Sequence, residues 1–236
     1  MKKAFTLVEL VAVMAIVALT AHLAMRALGT LAETRKRTSA QRRMEEIRDG
    51  IWKVDSSGSA SGFLADTGRL PRRLAELVER PAGLGEYAVK EAGHGIYVAS
   101  GWKGPYVRLE AGRGELLDPW GNEFLAETNA LGFVTGVSHM GESGQTRTKS
   151  ALFSVVPPGG EKARIVVSAD SAASMQVKCH FADGAGGVTN VTGQVSAAAE
   201  CLLEGIAPGL VAVEAGGMVR GLALKAGETR EIHLGE

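Results

Sequence analysis

The chain has 236 residues, with 26 Lys and Arg against 26 Asp and Glu. That length suffices for one large domain or two small ones, each with a real core. The balance is global but not local: residues 1–54 carry ten basic and five acidic side chains, but without interleaved aromatics or a recognition module this excess reads as a solvated or interfacial helix face, and no nucleic-acid partner is expected.

The chain opens MKKAFTLVEL and continues VAVMAIVALTAHLAM. Residues 5–25 are almost all apolar, broken by Thr6, Glu9, Thr20 and His22, and no Gly or Pro intervenes before Gly29. About 20 such residues cross a bilayer as a helix. A secretory signal would place its small-residue cleavage site after the apolar run. Here the small residue, Ala4, precedes that run, so a cut at Ala4 keeps the apolar helix on the mature chain. Glu9 needs a reason, because a carboxylate in hydrocarbon costs roughly 3 kcal/mol or more. His22 reads as an interhelical polar contact rather than a ligand.

The Lys2–Lys3 pair, Ala4 and the run Phe-Thr-Leu-Val-Glu resemble the type III signal of type IV pilins and type II secretion pseudopilins. The resemblance implies that residues 1–4 are a leader, that prepilin peptidase cuts between Ala4 and Phe5, and that the new Phe5 amine is methylated. The family residue before the cut is usually Gly, so Ala4 is a departure, and slower processing is expected. The resemblance further implies that Glu9 of one subunit faces the Phe5 amine of its neighbour. Opposite charges close together at low dielectric favour both ionised forms, so the pair would set subunit stagger. Basic residues number two before the span and six soon after it (Arg26, Arg35, Lys36, Arg37, Arg42, Arg43). Charge alone would place the C-terminal side in the cytoplasm; the resemblance implies a single-pass protein of the bacterial inner membrane with that side in the periplasm.

Beyond the span, Ala40, Met44, Ile47, Ile51 and Val54 recur at steps of four and three, one face of a helix. One long helix is predicted over residues 5–54, its membrane half ending near residue 28, and Gly50 costs it about 1 kcal/mol. The Ser/Gly-rich residues 56–62 read as a flexible loop.

Residues 55–148 are predicted to form a small α+β domain. RRLAELVER reads as a short helix with Pro71 in its first turn. Strands are predicted at 95–100, 105–110, 122–128 and 131–138. In Asp118-Pro-Trp-Gly-Asn122, Pro119 sets φ, Asp118 can bond back to the backbone, Gly121 tolerates positive φ and Trp120 supplies apolar area. By itself this is a packed hairpin turn, or less readily an aromatic sugar-binding turn. Together with GRLP, LAEL and the WKGPY stretch that holds Gly104 and Pro105, it resembles the major pseudopilin of the type II secretion pathway over residues 1–145. That family continues with a Ca²⁺-binding loop of the type G-x-D-G. The corresponding residues 138–144 here are SHMGESG, with Ser143 in the Asp position and Glu142 as the one nearby carboxylate. Ca²⁺ takes six to eight oxygens, so the calcium site is expected to be lost or weak, leaving no cofactor and no metal ligands.

Residues 149–236 turn rich in Val, Ala, Gly and Thr, after the junction Val-Pro-Pro-Gly-Gly. Alternating runs at 163–168, 174–181, 199–206, 210–215, 219–224 and 230–235 predict a small antiparallel sandwich. The tail resembles, weakly, carboxypeptidase-regulatory-like or transthyretin-like β-sandwiches. Cys179 and Cys201 are too far apart for a CxxC motif; they are compatible with a disulfide in an oxidising compartment and with two buried thiols in the cytosol. The fold class expected for the whole is α+β: a long transmembrane helix packed on a small antiparallel sheet, followed by an all-β sandwich-like domain.

No enzyme is expected. GVSHMGES invites a serine or metal reading, but its spacing and context support neither, and the five histidines show no helical ligand pair. The expected function is structural: a pilin-like subunit that packs through its helix with its own copies and other pilin-like subunits, in contact with lipid, prepilin peptidase and the inner-membrane assembly platform, and extracted into a periplasmic or surface filament. The alternative is a membrane-tethered or filament-displayed binding or adhesion protein acting through the C-terminal β-domain.

Overall fold

The computed structural model describes residues 7–56, 59–93, 95–109, 116–141, 153–155 and 160–234. The chain divides into two compact units, Met1–Arg42 and Arg43–Glu236. The class is α+β, with a long N-terminal helix, small sheets and a β-rich C-terminal part.

The first unit is the greater part of α1 (Leu7–Ile51), a 45-residue helix. Its threonine hydroxyls are satisfied within the helix: Thr20 Oγ1 donates to Val17 O at 3.0 Å, and Thr30, Thr34 and Thr38 bond back in the same way. This leaves the apolar part with few polar groups that an apolar solvent would have to bury unpaired. Glu33 and Arg37 pair one turn apart at 3.2 Å.

In the second unit the last turns of α1 bury Met44, Ile47 and Ile51. Gly50 is required there by close approach, since a Cβ would lie 2.7 Å from Val107 Cγ2. The helix ends at Ile51 rather than at 54. Lys53–Val54 (β1) instead pairs with Ala60–Ser61 (β2), so two residues of the predicted flexible loop are strand residues and Val54 is exposed; residues 57 and 58 of that loop lie outside the described residues. A short helix, α2 (Phe63–Thr67), follows. The predicted helix after Pro71 is reduced to one 3₁₀ turn, Leu74–Leu77. Pro71 lies outside it, its carbonyl accepting the Val134 N–H at 2.8 Å.

Strands β3 (Ala88–Gly93) and β4 (Ile96–Ser100) form a hairpin, while β5 (Leu125–Thr128), β6 (Val134–Ser138) and β7 (Phe153–Ser154) form a small antiparallel sheet. Residues 105–109 form no strand. Pro105 has no N–H to give a ladder, and the Tyr106 N–H goes to Leu77 O at 2.7 Å, which ties the segment to the 3₁₀ turn. Phe63, Leu64, Leu70, Leu77, Val107, Phe124, Val134 and Val137 make this lobe's core with the end of α1.

The second lobe is a sandwich. Its four-stranded sheet has the order β10 (Val188–Val195), β9 (Met175–Ala182), β12 (Gly209–Ala215), β13 (Met218–Leu224). Its three-stranded sheet has the order β11 (Cys201–Ile206), β8 (Ala163–Ala169), β14 (Thr229–Leu234). The expectation of an antiparallel sandwich holds except at one joint: β14 runs parallel to β8. Parallel partners need a long connection, and the rest of the sandwich supplies it. Alternate residues Ile165, Val167, Val177, Leu203, Val211, Val213 and Ile232 fill the space between the sheets, each worth about 1.5–3 kcal/mol on burial.

The two lobes are fused rather than tethered. Ile96 and Val98 of β4 pack on the outer face of the four-stranded sheet against Ala212, and Ala226 of the sandwich joins the first lobe's core. Backbones meet directly: a Cβ at Gly209, where φ is +117°, would lie 2.3 Å from Ala65 O. The Gly85 N–H donates to Ala185 O at 2.9 Å, and Ser100 Oγ donates to Gly187 O at 2.8 Å. A domain boundary at residue 149 falls outside the described residues.

Candidate functional site

The strongest functional feature is the apolar part of α1. An 18-residue window within the helix has a mean hydropathy of 2.2, and none of it is buried. Leu7 is 79% exposed, Ile16 63% and Leu28 64%. A helix that is apolar on every side suits lipid or a helical bundle and not an aqueous surface. Glu9 stands in its first turn, where the positive end of the helix dipole favours a carboxylate. Ala4 and Phe5 lie outside the described residues.

The WKGPY stretch is a packing knot. Trp102 Nε1 donates to Glu76 O at 2.8 Å, and its ring meets Tyr106 edge-on with centroids 6.0 Å apart. Tyr106 meets Phe63 in the same way at 5.6 Å. Gly104 follows Trp102 so closely that a Cβ would lie 2.6 Å from the indole, and the Gly104–Pro105 bond is cis. The Tyr106 hydroxyl accepts the Lys103 N–H at 2.9 Å and hydrogen-bonds the Asp66 carboxylate. Burial pushes the Tyr106 phenol above its ordinary pKa.

Burial also raises the Asp66 carboxyl, against the opposing pull of the Tyr106 bond and Lys103. The native state therefore holds the Asp66 proton more tightly than the unfolded chain does. This contribution to stability is complete below the ordinary carboxylate value of about 4 and is lost as pH rises through the native pKa. In urea titrations of the full chain in detergent, wild type should lose stability relative to Asp66→Asn as pH rises from about 4 to 7. A difference that stays flat or grows with pH would refute this.

The DPWGN turn is built on Asp118, which is fully buried. Its Oδ1 accepts the N–H groups of Trp120 at 3.0 Å and Asn122 at 2.8 Å, and Gly121 has φ +90°. Pro119 sits between them in the turn. The Trp120 ring stacks flat on His139, 5.3 Å between centroids, and Asn122 Nδ2 donates to Gly141 O at 3.1 Å. The turn thereby anchors residues 139–141. Glu142 and Ser143 lie outside the described residues. Among the described residues no group of three His, Cys, Asp or Glu is placed to hold a metal ion.

Cys179 on β9 and Cys201 on β11 are buried free thiols on facing sheets. Burial pushes the Cys179 thiol up to about 12, so it is a poor nucleophile at neutral pH. Gly193 makes room for Cys201, since a Cβ there would lie 2.1 Å from its Sγ.

Three arrangements escaped the sequence because no helical or strand spacing brings their members together. Arg69 and Glu76 form a pair at 2.9 Å, with Glu76 side-chain exposure at 5%. His180 on β9 lies 3.5 Å from Glu214 on β12. Ser168, His233 and Asp170 form a chain, with 3.0 Å from Oγ to Nδ1 and 3.1 Å from Nε2 to Oδ2. The last has the residue types of a hydrolytic triad, but His233 and Asp170 are both more than half exposed, and solvated partners hold an imidazole weakly. It serves as a polar ladder between the parallel strands β8 and β14.

The chain is similar in sequence to a known protein. The similarity is to a type II secretion component. It is the type II secretion system core protein G of Xanthomonas campestris pv. campestris, 30% identical over 89 residues, which are 38% of this chain and 49% of that protein. The chain thus spans about half the length of the curated relative it matches. No protein-family model and no solved structure matches. The long apolar helix is consistent with membrane anchoring.

Proposed function

We propose that this chain is the precursor of a structural subunit of a type II secretion pseudopilus or a related pilus-like filament. The observation that carries the reading is a helix apolar on all sides, with a carboxylate in its first turn, joined to an α+β unit. Prepilin peptidase removes residues 1–4 and methylates Phe5. The helix then holds the subunit in the inner membrane with the C-terminal unit in the periplasm, until the platform machinery extracts it into a filament. In that filament apolar helices pack on one another, and Glu9 answers the Phe5 amine of a neighbour. The expected result is an intact mass, for protein extracted from membranes, that matches a chain beginning at N-methylated Phe5. A mass retaining the leader, or lacking residues 7–28 altogether, would overturn the reading.

The binding-protein alternative draws on an apolar hollow of about 580 Å³ between the β3–β4 hairpin and strands β12 and β13, lined by Tyr97, Leu210 and Leu222. Because the lobes are fused, deleting the sandwich would uncover Ile96 and Val98. Polar substitutions at exposed Tyr97 and Leu210 separate ligand contact from assembly more cleanly.

A further inference from the structure

A cleft of about 720 Å³ lies where the loop after α2 meets the turn between β9 and β10. Its charged lining is Arg69, Arg72, Arg73 and Lys162 against Glu76 and Asp183. The two acids are already engaged. Glu76 is neutralised by Arg69, which also donates from Nε to Gly184 O at 2.9 Å. Asp183 Oδ1 accepts the N–H groups of Ala185 and Gly187, both at 2.8 Å. Asp183 keeps its charge, so Arg72, Arg73 and Lys162 leave the lining with a surplus of two positive charges, three cations against one anion. Arg72 is held in place by its guanidinium lying 5.6 Å over the Phe133 ring. Lys162 donates to Gly68 O at 3.2 Å and keeps further donors. Its outer side is exposed, yet desolvation lowers its pKa against the pull of Glu161; a nearby anion would relieve that penalty.

We propose that this cleft binds an extended acidic segment of a partner polypeptide, with carboxylates on Arg72, Arg73 and Lys162. The lining favours a peptide over a small free anion. Pro81, Leu84 and Phe133 give the cleft an apolar component that a free phosphate would not use, whereas a peptide with carboxylates beside apolar side chains meets both. Arginine forks suit carboxylates in two-point contact. The inference is independent of helix-driven assembly, since the cleft lies wholly in the second unit.

The test is fluorescence anisotropy with the full chain in detergent and a labelled peptide of sequence Gly-Asp-Leu-Glu-Asp-Leu-Glu. Saturable binding is expected at low salt. It should weaken roughly tenfold or more in Arg72→Ala/Arg73→Ala, through lost charge-assisted bonds, less in Lys162→Ala, and strongly in 0.5 M NaCl for every form. Arg220→Ala, on the distant strand β13, should bind as wild type does, and thermal melts should show each variant folded. Three results would overturn the proposal: no saturable binding, equal affinity in the double variant, or complete competition by inorganic phosphate at the peptide's own concentration. The last would mark a small-anion site instead.

Discussion

Replacing Glu9 by leucine should leave the chain in the membrane and remove it from filaments. Leucine lowers the cost of insertion, because a carboxylate in the span costs roughly 3 kcal/mol or more. Membrane yield should therefore hold or rise. Under the proposed mechanism, assembly should fail for the opposite reason: a neighbour's methylated amine would lose the charge that compensates it. Breaking a buried ion pair by removing one partner costs about 3–5 kcal/mol, which is more than a hundredfold in an association constant. Repeated at every subunit, that penalty prevents a filament. The check is an immunoblot of sheared filaments beside an immunoblot of the membrane fraction. Glu9→Leu with normal filament yield would remove the electrostatic role from the proposed mechanism, leaving apolar helix packing to act alone.

The second large effect belongs to Arg69. Its guanidinium reaches Glu76, the Leu70 carbonyl and the Gly184 carbonyl, and it lies 5.2 Å over the Phe63 ring. One side chain thereby ties the first lobe to the β9–β10 turn of the second. Arg69→Met should strand the Glu76 carboxylate and destabilise the fold by about 3–5 kcal/mol. At about 2–4 °C per kcal/mol for a unit of this size, the melting temperature should fall by roughly 10 °C. Arg69→Met/Glu76→Met should recover much of the loss, since an apolar pair can replace a buried ion pair at little cost. A loss below about 1 kcal/mol in the single variant would mean that Glu76 is better solvated than its 5% exposure suggests.

Much of the fold is legible in the residues because it rests on local rules. The step of three and four through Met44, Ile47 and Ile51 gives the buried face of α1. Alternation marks the strands near 96–100, 134–138, 163–169 and 175–182. Besides the two-residue strands β1, β2 and β7, two longer strands were missed for physical reasons. Strand β10 is rich in Thr, Asn, Gly and Gln because its outward face is solvated, and β3 carries Lys90 and Glu91 on a mostly exposed hairpin arm. Residues 105–110 have strand-like composition, yet the backbone bonds to Leu77 and the ring contacts of Tyr106 outweigh it.

By itself the sequence determined the apolar helix, the place of Glu9 within it and the turn around Asp118, because each depends on residues within a few positions of one another. Only the tertiary structure decided that the two lobes are joined through Ala226 and the cluster of Ile96, Val98 and Ala212, that β14 lies parallel to β8, and that Arg69 meets Glu76 beside a cationic cleft. The first two features join residues far apart in the chain, and the third depends on the β9–β10 turn folding back onto Arg69. Such pairings are chosen by which apolar faces can be buried together, and no single segment carries that information.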